Sequence, residues 1–100
     1  MSRTFLGQSS IVRLAPDVVV DAIDGEAVVV NLRTEAVFSL NSTGARIAEL
    51  IGAGAQIEHI VETLSAEYGH NRGGVEREVL ALVRALAVHG LVVTEPGERA

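Results

Sequence analysis

Three histidines, thirteen carboxylates and a few serines are the side chains through which this chain could do acid–base, metal or nucleophilic chemistry. There is no cysteine, so disulfides, thiolate metal sites and a cysteine nucleophile are excluded. His59 has Glu58 and Glu62 beside it but no second histidine at helical spacing, and a metal site needs several convergent ligands. His70 lies in a Gly/Asn loop. His89 falls where a helix ends, and an imidazole there meets the negative end of the helix dipole. No serine sits in a G-x-S-x-G elbow. Gly52-x-Gly54 lacks the preceding strand, the third glycine and the lysine of a phosphate loop, so it reads as an interhelical turn. Asp17, Asp21 and Asp24 read as surface and turn carboxylates, with a calcium site as the alternative. Glu58, Glu62, Glu67, Glu76 and Glu78 read as solvated helix faces. The expectation is a protein that is not an enzyme and has no metal or cofactor.

The charge balance narrows the partners. The net charge is −5 in 100 residues, and all eight basic residues are scattered arginines. A protein that grips phosphates needs a basic face, so a nucleic-acid partner is not expected. No apolar run approaches the roughly 20 residues that span a bilayer, and Met1–Ser10 does not read as a signal peptide. The expected location is cytoplasmic, with no membrane partner.

Few side chains carry chemistry, so the elements carry the reading. Residues 1–16 read as a flexible N-terminal segment, 17–94 as one domain, and 95–100 as a frayed tail. Val18, Val19, Val20, Ala22 and Ile23 form a β-branched run that ends at Asp24-Gly25, a strong hairpin signal. Glu26–Arg33 is a second strand, Thr34-Glu35 a second reversal, and Ala36–Leu40 a third strand. The pattern changes at Ser42. Ile47, Leu50 and Ile51 mark one helix, with Asn41, Ser42 or Thr43 as its cap. Ile57, Ile60, Val61, Leu64 and Tyr68 mark a second, stopped by Gly69. Val75, Val79, Leu82, Val83 and Leu86 mark a third, ended by Gly90. Leu91-Val92-Val93 returns as a short extended segment. The fold class predicted is α+β and winged-helix-like: a three-stranded antiparallel sheet packed on a three-helix bundle, with helices beginning near Ser42, Gln56 and Val75.

One stretch is more specific than the rest. Glu26–Ile51 holds a strand, a short aromatic-containing strand and then Leu-Asn-x-Thr-Gly-Ala-x-Ile-x-x-Leu, with Leu40, Asn41, Thr43, Gly44, Ala45, Ile47 and Leu50 at the defined positions. This resembles the strand-to-helix junction of the PqqD-like family, the recognition elements that bind leader peptides of ribosomally made, post-translationally modified peptides. The I-x-x-I-V-x-x-L-x-x-x-Y run of Ile57–Tyr68 and the His-Gly-Leu-Val close of Val75–Val92 are similar to the family's later helices. The resemblance spans Val18–Val93. The wording Phe38-Ser39-Leu40-Asn41-x-Thr43-Gly44 and the N-terminal extension favour the free-standing type of lasso-peptide biosynthesis. A PqqD-type partner of a radical-SAM peptide-modifying enzyme and a winged-helix transcription factor are the alternatives.

The resemblance implies a precursor leader peptide as ligand. A transglutaminase-like leader peptidase and a cyclase are the implied enzyme partners. The binding mode it points to is strand addition to an exposed sheet edge. The edge is Glu35, Ala36, Val37, Phe38, Ser39 and Leu40, the last strand of the meander. The third helix would wall the groove through the flank of Leu80, Val83, Arg84 and Ala87, with Glu76 beside it. The bland reading of Leu80 is that it widens the core stripe. An exposed edge also permits a strand-swapped dimer in place of a monomer.

Overall fold

The computed structural model describes residues 7, 9–52, 54–69 and 71–97. Its elements run β1 (Ile11–Leu14), β2 (Val18–Ile23), β3 (Glu26–Asn31), β4 (Val37–Leu40), α1 (Ser42–Ile51), β5 (Ala55–Gln56), α2 (Ile57–Tyr68), α3 (Arg72–Val88) and β6 (Val92–Glu95). The three helices and the antiparallel meander β2-β3-β4 stand where the sequence puts them, but the strands form two sheets, the second ordered β5-β1-β6.

That second sheet corrects the reading of the N-terminal segment. Ile11–Leu14 is not a loose leader. It pairs antiparallel with β6 from Ile11↔Glu95 to Leu14↔Val92, and with β5 through Val12↔Ala55. Val12 is fully buried in the common core, and Arg13 reaches Glu95 at 2.5 Å, 82 residues away. Ser10 adds a cap: its carbonyl accepts from the first amide of α2, Ile57, at 2.9 Å. Gln56 makes no side-chain cap bond, so the N-terminal segment satisfies one of the amides that a helix start leaves open. Gly7, Gln8, Ser9 and Ser10 read as flexible in the sequence, yet Ser10 is buried.

The meander is built by local rules. Asp24 and Gly25 both take the left-handed backbone, at φ 54° and 80°, as a tight hairpin requires. The loop from β3 to β4 is organised by Asn31, a buried polar residue the sequence reading passed over. Its Oδ1 accepts from the amides of Arg33 and Thr34 at 2.9 and 3.1 Å. Its Nδ2 donates to the carbonyl of Gly90, just past α3, at 3.1 Å. Glu35 sits in this loop at φ 68°, so the strand starts at Val37 and not at Ala36.

Asn41 caps α1 through its side chain, which accepts from Gly44 N at 2.9 Å; Thr43 does not fill that role. Gly44 lies against Leu40: a Cβ there would stand 3.1 Å from Leu40 Cδ2. The glycine thus sets how closely α1 follows the strand. α3 starts three residues before the expected Val75. Asn71, in the left-handed region, accepts from Gly74 N and so draws the poor helix formers Gly73 and Gly74 into the first turn. Ile47, Ile51, Ile57, Ile60, Leu64, Val79, Val83, Leu86 and Leu91 fill the core between helices and sheets.

Arg46 ties α1 to α2. Its Nε donates to both carboxylate oxygens of Glu67 at 3.1 and 3.2 Å, and its guanidinium also meets Glu49 at 3.0 Å. The hydrogen bond to Glu67 is the main reason the Arg46 guanidinium holds its proton more tightly than usual. The same bond holds the Glu67 carboxyl below the usual range. No described helix is long and apolar enough to cross a membrane.

Candidate peptide-binding site

Among the described residues β4 is an edge: it pairs with β3 and with no described strand on its other side. The hydrogen-bond phase follows from the amide of Asn31, which donates to the carbonyl of Ala36 at 2.9 Å. In an antiparallel ladder the bonded pairs alternate. With the register Val29↔Phe38 and Ala27↔Leu40, Phe38 and Leu40 turn their main-chain groups toward β3. Val37 and Ser39 turn theirs outward, where an added strand would find two donors and two acceptors. Side chains alternate as well. Phe38 and Leu40 point to the helices, and Val37 and Ser39 to the opposite face, where Val37 is 57% exposed.

A groove of about 410 Å³ runs along this edge, between Phe38, Ser39, Leu40 and Asn41 on one side and α3 on the other. The helix supplies Glu78, Ala81, Leu82 and Ala85. Two alanines and a half-buried leucine leave room for apolar side chains of an incoming strand. Thr43, Gly44 and Ile47 close the groove at the start of α1. At its other end His89 stacks edge-on against Phe38, with ring centroids 5.3 Å apart at 73°. His89 is held by its Nδ1, 2.9 Å from the carbonyl of Ala85. Beyond Glu78 and Ala81 the depression continues toward Tyr68, Asn71 and Arg77.

The α3 residues that border this groove are on the other flank of the helix from the one read from the helical wheel. Glu76, Leu80, Val83, Arg84 and Ala87 do not line the groove. Val83 is fully buried in the core, Leu80 is half-buried against it, and Arg84 and Ala87 are exposed on the far side of α3. Leu80 widens the core stripe. Both flanks of the stripe border the core equally, and only the crossing of α3 over the sheet selects Ala81 and Ala85. Of the expected edge residues, the structure brings Phe38, Ser39 and Leu40 to the groove. Val37 contributes its outward main chain, and Glu35 and Ala36 precede the strand. Asn31 and His89 shape the groove without having been expected there. The only signal for His89 was its place next to Gly90 at the helix end.

Among the described residues no three His, Cys, Asp or Glu side chains converge. His59 is exposed on α2, and His70 lies outside the described residues. A second apolar cavity, of about 600 Å³, lies between the β2-β3 hairpin and α1, over Ala22, Ala27, Ala45 and Ala48. It borders β2, the other edge of the sheet. There the Val18 amide is already bonded to the carbonyl of Ala15 at 3.2 Å, and no α3 wall faces it.

The family model described as coenzyme PQQ synthesis protein D (PqqD) matches residues 26–92. The chain belongs to the PqqD family. The match takes in β3, β4, all three helices and the first residue of β6, so both walls of the groove are family structure. Two solved structures share the architecture. One, described as TbiB1 in complex with the TbiA(beta) leader peptide, superposes with a TM-score of 0.72 at 35% identity, over 80% of this chain and 93% of that one. The other, described as lasso peptide synthetase B1 complexed with the leader peptide, gives 0.67 at 27% identity, over 82% and 96%. No curated protein sequence matches the chain.

Proposed function

We propose that this PqqD-family chain is a non-catalytic recognition protein. It takes up the leader of a ribosomal precursor peptide as an added antiparallel strand on β4 and presents it to processing enzymes of the lasso-peptide type. The observation that carries the reading is the free β4 edge, with the outward main chain of Val37 and Ser39 lying beside a groove walled by α3. Main-chain pairing supplies affinity with little demand on sequence, and Ala81, Leu82 and Ala85 supply pockets that read alternate side chains. Both solved neighbours are complexes with leader peptides, and one is named a lasso peptide synthetase B1. They favour the lasso type over a radical-SAM partner. A leader peptidase and a cyclase are the enzymes such a protein would serve. The acidic balance of the chain argues against a nucleic-acid ligand.

The test is a titration of the chain into a fluorescently labelled synthetic leader, followed by anisotropy. Saturable one-to-one binding that an unlabelled leader competes away supports the reading. A cognate leader that does not bind refutes it. Binding that survives changes at β4 but fails on changes at Val20 and Ala22 would move the strand to the β2 edge.

A further inference from the structure

We propose that β2 and α1 form a second strand-addition site, separate from the β4 groove, for an extended segment of another protein that alternates apolar residues with lysine or arginine. The site is argued without the leader and does not rest on the leader-binding reading.

The ladder fixes which groups of β2 are open. Ala27, Val29 and Asn31 give their main chain to β4, so Glu26, Val28 and Val30 give theirs to β2. Their register partners Ile23, Asp21 and Val19 are thereby bonded. Val20 and Ala22 turn their amides and carbonyls outward, and among the described residues no strand lies beyond them. At its start the edge is closed, where the Val18 amide donates to the carbonyl of Ala15 at 3.2 Å. Sheet edges are commonly blunted by proline, lysine or a bulge. The run Val18–Ile23 has neither residue, and its pairing with β3 is unbroken.

The space beneath that edge fits side chains. Val20 and Ala22 point the same way as their partners Val29 and Ala27, toward the helices, while Val19, Asp21 and Ile23 point to the outer face of the sheet. Under Val20 and Ala22 lies the apolar cavity of about 600 Å³, larger than the groove of about 410 Å³ at β4. Ala27, Ala45 and Ala48 line it, with Leu14 beside them. A strand edge thus faces a helix across small side chains, which is the arrangement of β4 and α3 repeated with α1 as the wall. An added strand would bond Val20 and Ala22 and place every second side chain in the cavity. A small apolar molecule would fill the cavity and leave those main-chain groups unused, so the edge selects a peptide.

The charge selects which peptide. Glu26 and Glu49 line the cavity, and Asp21 and Asp24 stand on the same strand and its hairpin. The cation among the lining residues, Arg46, is already held by Glu67 and Glu49. Residues of the added strand that face away from the cavity would lie beside Asp21 on the outer face, where lysine or arginine makes a favourable cross-strand pair. A second copy of the chain paired edge to edge would bring the same carboxylates to both strands. The occupant is therefore a segment of another protein.

The experiment follows the isotope-labelled full chain by NMR as a short capped peptide of alternating valine and lysine is added. Its valine–glutamate counterpart is the control. The lysine peptide should slow exchange at the Val20 and Ala22 amides and bind about tenfold or more tighter than the glutamate peptide. Ala22→Pro removes an outward amide without loss to the native ladder, and Ala45→Phe fills the cavity. Each should weaken the lysine peptide by about tenfold or more, about 1.4 kcal/mol, with circular dichroism unchanged. Val37→Pro, at the β4 edge, should leave this binding within about twofold, and a synthetic leader should not displace the peptide. The site is overturned if the lysine peptide does not bind up to about 1 mM, or if the two peptides bind alike. It is overturned as well if folded Ala22→Pro and Ala45→Phe bind like wild type, or if the wild-type Val20 and Ala22 amides gain no protection. Binding lost in Val37→Pro, or displaced by leader, places the peptide on β4 and has the same consequence. A wild-type dimer in sedimentation that Ala22→Pro dissolves assigns the edge to a second copy, and a leader that protects Val20 and Ala22 assigns it to the leader; either removes the partner protein. A leader that binds nowhere strikes the reading of the β4 groove, while the lysine peptide still decides this site.

Discussion

Proline at position 37 separates a peptide-binding edge from a purely structural strand. The Val37 amide faces away from β3, so Val37→Pro removes no bond of the native sheet. Its side chain is largely exposed and leaves the core untouched. Proline is tolerated at edge positions of this kind. Phe38→Pro is the control with the opposite phase. It deletes the donor to Val29, leaves a carbonyl next to the core unpaired at about 1–3 kcal/mol, and removes the ring that meets His89. Against a total stability of about 5–15 kcal/mol, Phe38→Pro should lower the melting temperature by many degrees, whereas Val37→Pro should shift it little. For leader binding, Val37→Pro costs one main-chain bond, about 0.5–1.5 kcal/mol, and the ring carbon in place of the hydrogen pushes the incoming backbone away. The dissociation constant should rise by about tenfold or more, about 1.4 kcal/mol. The assay is anisotropy with a labelled leader, alongside thermal melts and amide exchange. In wild type the leader should slow exchange at Val37 and Ser39, with a smaller change at Phe38. Folded Val37→Pro with wild-type affinity, and no leader effect on the Val37 and Ser39 amides, would refute the edge-strand argument. A stable Phe38→Pro beside an unfolded Val37→Pro would show the hydrogen-bond phase to be inverted.

Ala81→Glu, placed in the groove beside Glu78, should weaken leader binding by more than about tenfold without loss of helicity. Arg84→Glu, on the far side of α3, should leave it within about twofold in the same titration. Asn31→Ala should destabilise the chain by about 1–3 kcal/mol in urea unfolding, because it leaves the Arg33 and Thr34 amides and the Gly90 carbonyl without their partner. The same change should weaken leader binding by loosening the start of β4 against the end of α3. Because Arg46 depresses the Glu67 pKa, wild type should be more stable than Glu67→Gln at neutral pH. That advantage should be lost as pH falls through the depressed pKa of Glu67, which urea midpoints measured across the acid range will show.

Much of this molecule is written locally. Asp24-Gly25 demands left-handed backbone at adjacent positions, which a two-residue hairpin uses. Asn41 before Gly44 is a cap, and Gly69 at φ 76° is a stop. The spacing of Ile57, Ile60, Val61 and Leu64 leaves a helix one face to bury. The Leu40–Leu50 wording pointed to the family because a strand-to-helix junction is itself a local unit. The N-terminal strand was not legible. Ile11–Leu14 is four residues long, and its partner β6 lies at the other end of the chain. No local pattern announces a pairing whose worth comes from burying Val12 among residues far away in sequence. The outer sheet face was hidden for another reason: Val18-Val19-Val20 and Val28-Val29-Val30 have no apolar–polar alternation, so the sequence does not say which valines face inward. Hydrogen-bond register decides that, and Asn31 fixes the register where it turns the chain into β4. The groove wall shows the same division. Periodicity named the stripe of α3 that must be buried, through Val75, Val79, Val83 and Leu86. It left the two flanks equivalent, because a wheel has no direction in space until the helix is laid on a sheet. The crossing of α3 over β4, held by the Asn31–Gly90 bond and the Phe38–His89 contact, is what brings Ala81 and Ala85 to the β4 edge and turns Leu80 and Arg84 away.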